Sequence, residues 1–300
     1  MICLLMARYI YLAIYTHYRT VLFTRLAFAW RRVAVYIPRN PAPSKCKSCT
    51  TPHRPSQAQQ ACNNPTVPTT VSERRWQEAQ KHEREFWARW RQMPVYQGFD
   101  LDGYWVGERE RFGLPPGFFS GLRVLDVGCG PVGLIHFLPE AALRLRLDPL
   151  LLDYPDRLPL ADPQLSLVAE AEHLPLSSGT VDACICFNAL DHMREPRAAL
   201  AEVHRVLRPG GALLVMVHSF PSWLLPLLWA DRLHPHHWTH AAAADLLASR
   251  FRVERAVRVR RSFGVPPARL RYPSVWKYVA GQLILSISYF TAFRDVPLAR

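Results

Sequence analysis

The sequence predicts a doubly wound α/β domain of Rossmann-like type, and three observations carry that prediction. From Leu122 onward, short apolar runs alternate with stretches of helical period. The first run empties into a glycine turn, Gly128-Cys-Gly130-Pro-Val-Gly133. Ahead of both lies an amphipathic stretch with an aromatic stripe, SERRWQEAQKHEREFWARW, which reads as an N-terminal helical cap.

The 300 residues are 49% apolar and 20% charged, enough to bury a core, so a mainly disordered protein is excluded. Nine of the 37 Lys and Arg residues precede Glu73, the first acidic residue of the chain, leaving 28 basic against 24 acidic side chains beyond it. The net charge of +13 therefore belongs mainly to a leader, residues 1–70. Its seven prolines among Ser, Thr, Gln and Asn over 38–70 predict disorder, and it is read as basic, Pro-rich and disordered or not native. An Arg-rich, acid-free leader also has the composition of a transit peptide; the favoured reading places the natural start at Val71. No nucleic-acid partner is expected of the body, and no stable membrane insertion. Seven cysteines, an odd number with three of them in apolar runs, point to a reducing, cytoplasmic setting. Domain boundaries are placed at 71–120 for the helical cap, 121–262 for the core, and 263–300 for a C-terminal segment packing on the core.

Each element then follows in order. Thr70 and Glu73 form a capping-box pattern, and Trp76, Ala79, Phe86, Trp87 and Trp90 recur on one side of a helix, as core packing or as a lid over a pocket. Strands are expected over LRVLDVG, LRLRLD, LSLVAE, VDACICFN and GALLVMVHS, with helices over EPRAALAEVHRVL and over HAAAADLLAS capped by Thr239. Residues 207–211 read as the turn that aims the fifth strand. FRVERAVRVRR reads as a charged edge strand, and Tyr278–Phe293 as a buried terminal segment.

The glycine turn satisfies a dinucleotide fingerprint, and Asp148 lies twenty residues past Gly128, where a ribose-binding acid belongs. Two residues argue against an NAD-linked oxidoreductase. Asp126 would repel a pyrophosphate while favouring a ligand with an ammonium and a sulfonium, and Pro131 removes a backbone donor from the turn. Downstream stand Glu170-Ala-Glu-His-Leu-Pro-Leu176, Val181–His192 and Val206-Leu-Arg-Pro-Gly-Gly211. In this order and spacing the chain resembles the class I S-adenosylmethionine-dependent methyltransferases, in the branch of the ubiquinone and menaquinone C-methyltransferases. The resemblance covers about residues 72–262 and extends to bacterial small-molecule enzymes with a W-x-x-A-x-x-x-E-x-x-x-W helix, here Trp76, Ala79, Glu83 and Trp87.

That resemblance implies a seven-stranded sheet and S-adenosylmethionine as cofactor. Asp126, Gly128, Cys129 and Gly130 would pass beneath its methionine part, and Asp148 would accept from both ribose hydroxyls. Glu170 and the Ala171 N–H would meet the adenine, and Asn188 and Leu190 the methyl-donor end. Methyl transfer rests mainly on alignment, and a base is optional. Candidate bases are His192 and His218, which follow the fourth and fifth strands, while His236 and His237 are expected to line the acceptor pocket. No metal is expected: the cluster His234, His236, His237 and His240 has no matching Cys or carboxylate pattern, and Cys46 and Cys49, with His53 and Cys62, lack a second pair. The arginines from Arg250 to Arg261 raise the prospect of an anionic small-molecule acceptor. A second reading, from a different class, is a catalytically silent cofactor-binding or scaffold protein that uses its termini for membrane or partner contact.

Overall fold

A computed structural model of the chain describes residues 71–90, 100–154, 164–231, 233–260 and 285–296. The leader, with its expected CxxC, and residues 278–284 of the terminal apolar run lie outside the described residues.

Two helices open the described fold, α1 (Glu73–Trp87) and α2 (Leu101–Arg111). The cap of α1 is Ser72, whose side chain accepts from the Arg75 N–H at 3.4 Å; it lies nearer the first helical turn than the expected Thr70. The sheet strands are β1 (Arg123–Val127), β2 (Leu143–Leu147), β3 (Gln164–Leu167), β4 (Val181–Phe187), β5 (Leu207–Ser219), β6 (Arg252–Val259) and β7 (Ser286–Phe293). Helices α3 (Pro196–Val206) and α4 (His240–Ala248) complete the list. The order across the sheet is β3-β2-β1-β4-β5-β7-β6, parallel except for β7, which runs antiparallel between β5 and β6.

The sequence accounts for this order. Continuous apolar strands such as VDACICF are buried on both faces, as a parallel core requires. Helix α3 buries Ala199, Leu200, Val203 and Val206, one stripe of a 3.6-residue period, against one face of the sheet. The other face is covered by Tyr104, Trp105 and Phe112 from and after α2. The expected turn at 207–211 is drawn into β5: Leu207 pairs with Val181 before a register shift, and Ala212 then pairs with Ala183. The charged strand β6 lies at the sheet edge, and the apolar run at 286–293 is an interior strand that inserts beside it. No helix among the described residues is long and apolar enough to cross a membrane.

The parallel order reverses between β1 and β4, so the crevice at the C-terminal ends of these strands is where a ligand belongs. Asp126, Asp148, Asn188 and His218 all stand at or just past strand ends on that side.

Candidate active site

The turn after β1 is tied to the end of β2, since the Gly128 and Cys129 N–H groups both donate to the Leu147 carbonyl, at 2.7 and 3.2 Å. Both glycines have positive φ but differ in what surrounds them. A Cβ on Gly128 would stand 2.4 Å from the Ala189 Cβ, whereas the nearest atom to a Cβ on Gly130 is in the Trp87 ring at 3.6 Å. Gly128 is therefore required by packing, whereas a Cβ on Gly130 would meet the Trp87 ring at ordinary contact distance across the space above the turn.

Two buried carboxylates flank that space. Asp126 accepts from the Ile135 N–H at 3.1 Å, and burial pushes its carboxyl up to about 7. Asp148 accepts from Leu150 N–H at 2.8 Å, Gly130 N–H at 3.0 Å and the Tyr154 hydroxyl at 3.1 Å, and burial still raises it to about 6. The Cys129 thiol beside them is pushed up by burial and is not a nucleophile. Glu170, Ala171 and Asn188 line the same cavity. Asn188 has φ 53°, the one non-glycine residue with positive φ among the described residues, directly after β4. Leu190 does not join them: the short 3₁₀ turn Leu190–His192 sends it into the core at 1% exposure, and Ala189 and His192 face the cavity instead.

The aromatic stripe of α1 forms one wall. Trp76, Phe86, Trp87 and Trp90 line the cavity, and Trp87 packs edge-on against Tyr154. Glu83 accepts from the Trp87 ring N–H at 2.7 Å and has its other oxygen 3.9 Å from His192 Nδ1. The helix thus closes over the glycine turn and reaches toward the far end of the cavity.

That far end holds His192, His218 and His234 around the buried carboxylate of Asp191. Burial alone would raise Asp191, yet His192, His234 and His218 together hold it below the ordinary carboxylate value. His234 donates its Nδ1–H to the Asp231 carboxylate at 2.8 Å, and His237 Nε2 lies 3.0 Å from the same oxygen. The two histidines expected to line the acceptor pocket are absent from its walls. His236 is buried with Nε2 on the Met193 carbonyl at 2.9 Å and stacked on Trp238, and His237 is turned toward Asp231 and Phe220. His234, two residues earlier, takes that place.

The cavity measures about 220 Å³ and runs from the glycine turn to these histidines. Among the described residues six carboxylates line it, Glu83, Glu85, Asp126, Asp148, Glu170 and Glu172, and no Lys or Arg does. Two arginines of β6 are engaged away from the cavity, Arg255 on the Arg111 carbonyl and Arg252 with Glu254 and Asp295.

Residues 125–215 match a family described as methyltransferase domain. The chain is 37% identical over 101 residues to the malonyl-[acyl-carrier protein] O-methyltransferase of Yersinia pestis, covering 32% of this chain and 36% of that protein. It is 28% identical over 129 residues to a human thiol S-methyltransferase, covering 40% and 52% respectively. The chain thus spans about half, or less, of the length of these relatives. Among solved structures, the [4+2]-cyclase SpnF superposes with a TM-score of 0.55 at 19% identity, over 73% of this chain and 97% of that one. That likeness concerns the fold alone.

Proposed function

We propose that this chain, which carries a class I S-adenosylmethionine-dependent methyltransferase domain over residues 125–215, transfers a methyl group to a small-molecule acceptor in the cytoplasm. The observation that carries this reading is the single cavity in which the Asp126–Asp148 cradle and the histidine end face one another.

The chain's own residues fit the cofactor. Gly130 and Trp87 face one another across the cavity, and carboxylates end β1 and β2 where an ammonium and a ribose would lie. A lining with six carboxylates among its described residues suits a cationic ligand and disfavours a pyrophosphate. Asp148 already accepts three hydrogen bonds, and a carboxylate has about four acceptor positions. We therefore assign it one ribose hydroxyl rather than both, with the Tyr154 hydroxyl as the neighbouring partner. Bound S-adenosylmethionine supplies an electrophilic methyl group on a sulfonium whose leaving group is a neutral thioether.

The protein's part is alignment. Asp126 orients the amino end, the Gly128–Gly130 turn allows close approach, and Asn188 sits beside the donor end. Helix α1 excludes water with Trp76 and Trp87, a setting in which positioning contributes up to about 7–11 kcal/mol. His192, with His218 behind it, stands at the acceptor end and assists loss of the acceptor's proton. Oxygen and sulfur acceptors are compatible with the names of the relatives above.

The test is calorimetric titration with S-adenosylhomocysteine, together with transfer of labelled methyl from S-adenosylmethionine to a small-molecule extract. Binding with transfer supports the enzyme; binding without transfer to any extract supports a silent cofactor-binding protein; absence of binding ends the reading.

A further inference from the structure

We propose that Asp191, His192 and His234 form a binding site for a divalent first-row transition-metal cation at the acceptor end of the cavity. One oxygen of Asp191 and one ring nitrogen of each histidine lie within 4.8 Å of one another. Asp191 is 3% exposed, yet its Oδ1 is buried with no hydrogen-bond partner, and the buried Nδ1 of His192 has none either. A buried carboxylate oxygen left unpartnered costs free energy unless something occupies the position it faces. Ligand atoms held about 2.0–2.2 Å from one cation stand no more than about 4.4 Å apart, a spread comparable to the 4.8 Å limit within which these atoms lie.

The surroundings support a cation in preference to a plain histidine cluster. His234 Nδ1 is held by Asp231 at 2.8 Å, which fixes the orientation of the ring beside Asp191 and His192. A carboxylate bonded to the far nitrogen of a ligating histidine is the usual outer support of such sites. Asp231 also takes His237, and its backbone carbonyl accepts from the Arg75 guanidinium at 3.0 Å, which ties the support to helix α1. Glu83, with an oxygen 3.9 Å from His192 Nδ1, adds a second negative charge on the cavity side.

Two histidines and one carboxylate leave coordination positions open, as catalytic rather than structural metal sites do. His192 and His234 line the cavity, so the open positions face it. The ligand class is therefore a zinc-like or iron-like divalent cation, and an acceptor able to complete its coordination through oxygen or sulfur. The site deepens the methyltransferase reading, with His192 then a ligand and His218 the remaining group to take the acceptor's proton, but it is tested without that reading, because the readout is metal binding and not turnover.

The experiment titrates Co²⁺ into the full chain after chelation, following its visible ligand-field absorption, and then displaces it with Zn²⁺. Stoichiometric binding is expected in the wild type, with loss in the double variant H192A/H234A and weakening by about 10–100-fold in Asp231→Asn. Wild-type protein that takes up no Co²⁺ or Zn²⁺ overturns the proposal, as does binding that survives both sets of substitutions. S-adenosylhomocysteine titration of the same samples separates the two readings: cofactor binding without metal binding sinks only the metal site, and the converse sinks only the methyltransferase reading. Retained cofactor affinity also certifies that a variant is folded.

Discussion

Asp126→Asn should stabilise the ligand-free protein while weakening cofactor binding. Asn preserves the volume of the side chain and an oxygen to accept the Ile135 N–H. What it removes is a charge whose folded pKa, raised by burial, is about 7, against an ordinary value of 3.8. Because the folded pKa lies above the unfolded one, the folded chain holds its proton longer, and wild-type stability falls as pH rises from about 4 to about 7, then levels. A rise of about 3 units at about 1.4 kcal/mol per unit sets a ceiling near ~4 kcal/mol, and Asp148 shares some of that effect. The variant should therefore exceed the wild type by about 2–4 kcal/mol at pH 8 and match it near pH 3.5, by denaturant unfolding without ligand. Its affinity for S-adenosylhomocysteine at pH 8 should fall about tenfold or more, the loss of one charged hydrogen bond of about 1.5–3 kcal/mol. A variant destabilised at pH 8, or stabilised equally at every pH, would refute the reasoning.

The two glycines should fail differently. Gly128→Ala meets the Ala189 Cβ at 2.4 Å and should lose stability by more than about 2 kcal/mol, whereas Gly130→Ala should fold with a modest loss and bind cofactor at least about tenfold more weakly; melting curves and calorimetry on both check this. Asp182 accepts from the Arg123 backbone at 2.8 Å and from its guanidinium at 3.0 Å, and Arg208 is also paired with it, which holds its carboxyl below the ordinary value. Its replacement by Ala should lower stability by about 1–3 kcal/mol at neutral pH, and by less as pH falls below about 4, with cofactor affinity unchanged. His192→Ala should reduce turnover on the identified acceptor by about 10²-fold and leave S-adenosylhomocysteine affinity within about threefold, measured by single-turnover rates and calorimetry. Equal losses in both would remove His192 from the acceptor side.

Apolar runs and helical periods made the strands and the helices α3 and α4 legible, because burial on both sheet faces leaves a continuous signature. The cradle residues were legible for a related reason: a strand end, a glycine turn and a following acid are close in sequence. The histidine end was not. The family resemblance carries Leu190 to the methyl-donor end and is silent on Asp191, and it cannot say which way the 3₁₀ turn of this chain points. The loop of 234–240 presents four histidines with equal claim in sequence. Only the pairing of Asp231 with His234 and His237, and of His236 with the Met193 carbonyl, decides that His234 faces the cavity. Tyr154, bonded to Asp148 across six residues, carried no motif that could have singled it out.

The central claim is that one cavity carries both cofactor and acceptor chemistry. Its most direct measurement is transfer of labelled methyl from S-adenosylmethionine to the low-mass fraction of an extract, by wild-type protein and by Asp126→Asn. Label should enter a small molecule with the wild type and fall by about tenfold or more with the variant at limiting cofactor. Wild-type protein that neither binds S-adenosylhomocysteine nor moves label into any small molecule would contradict the account.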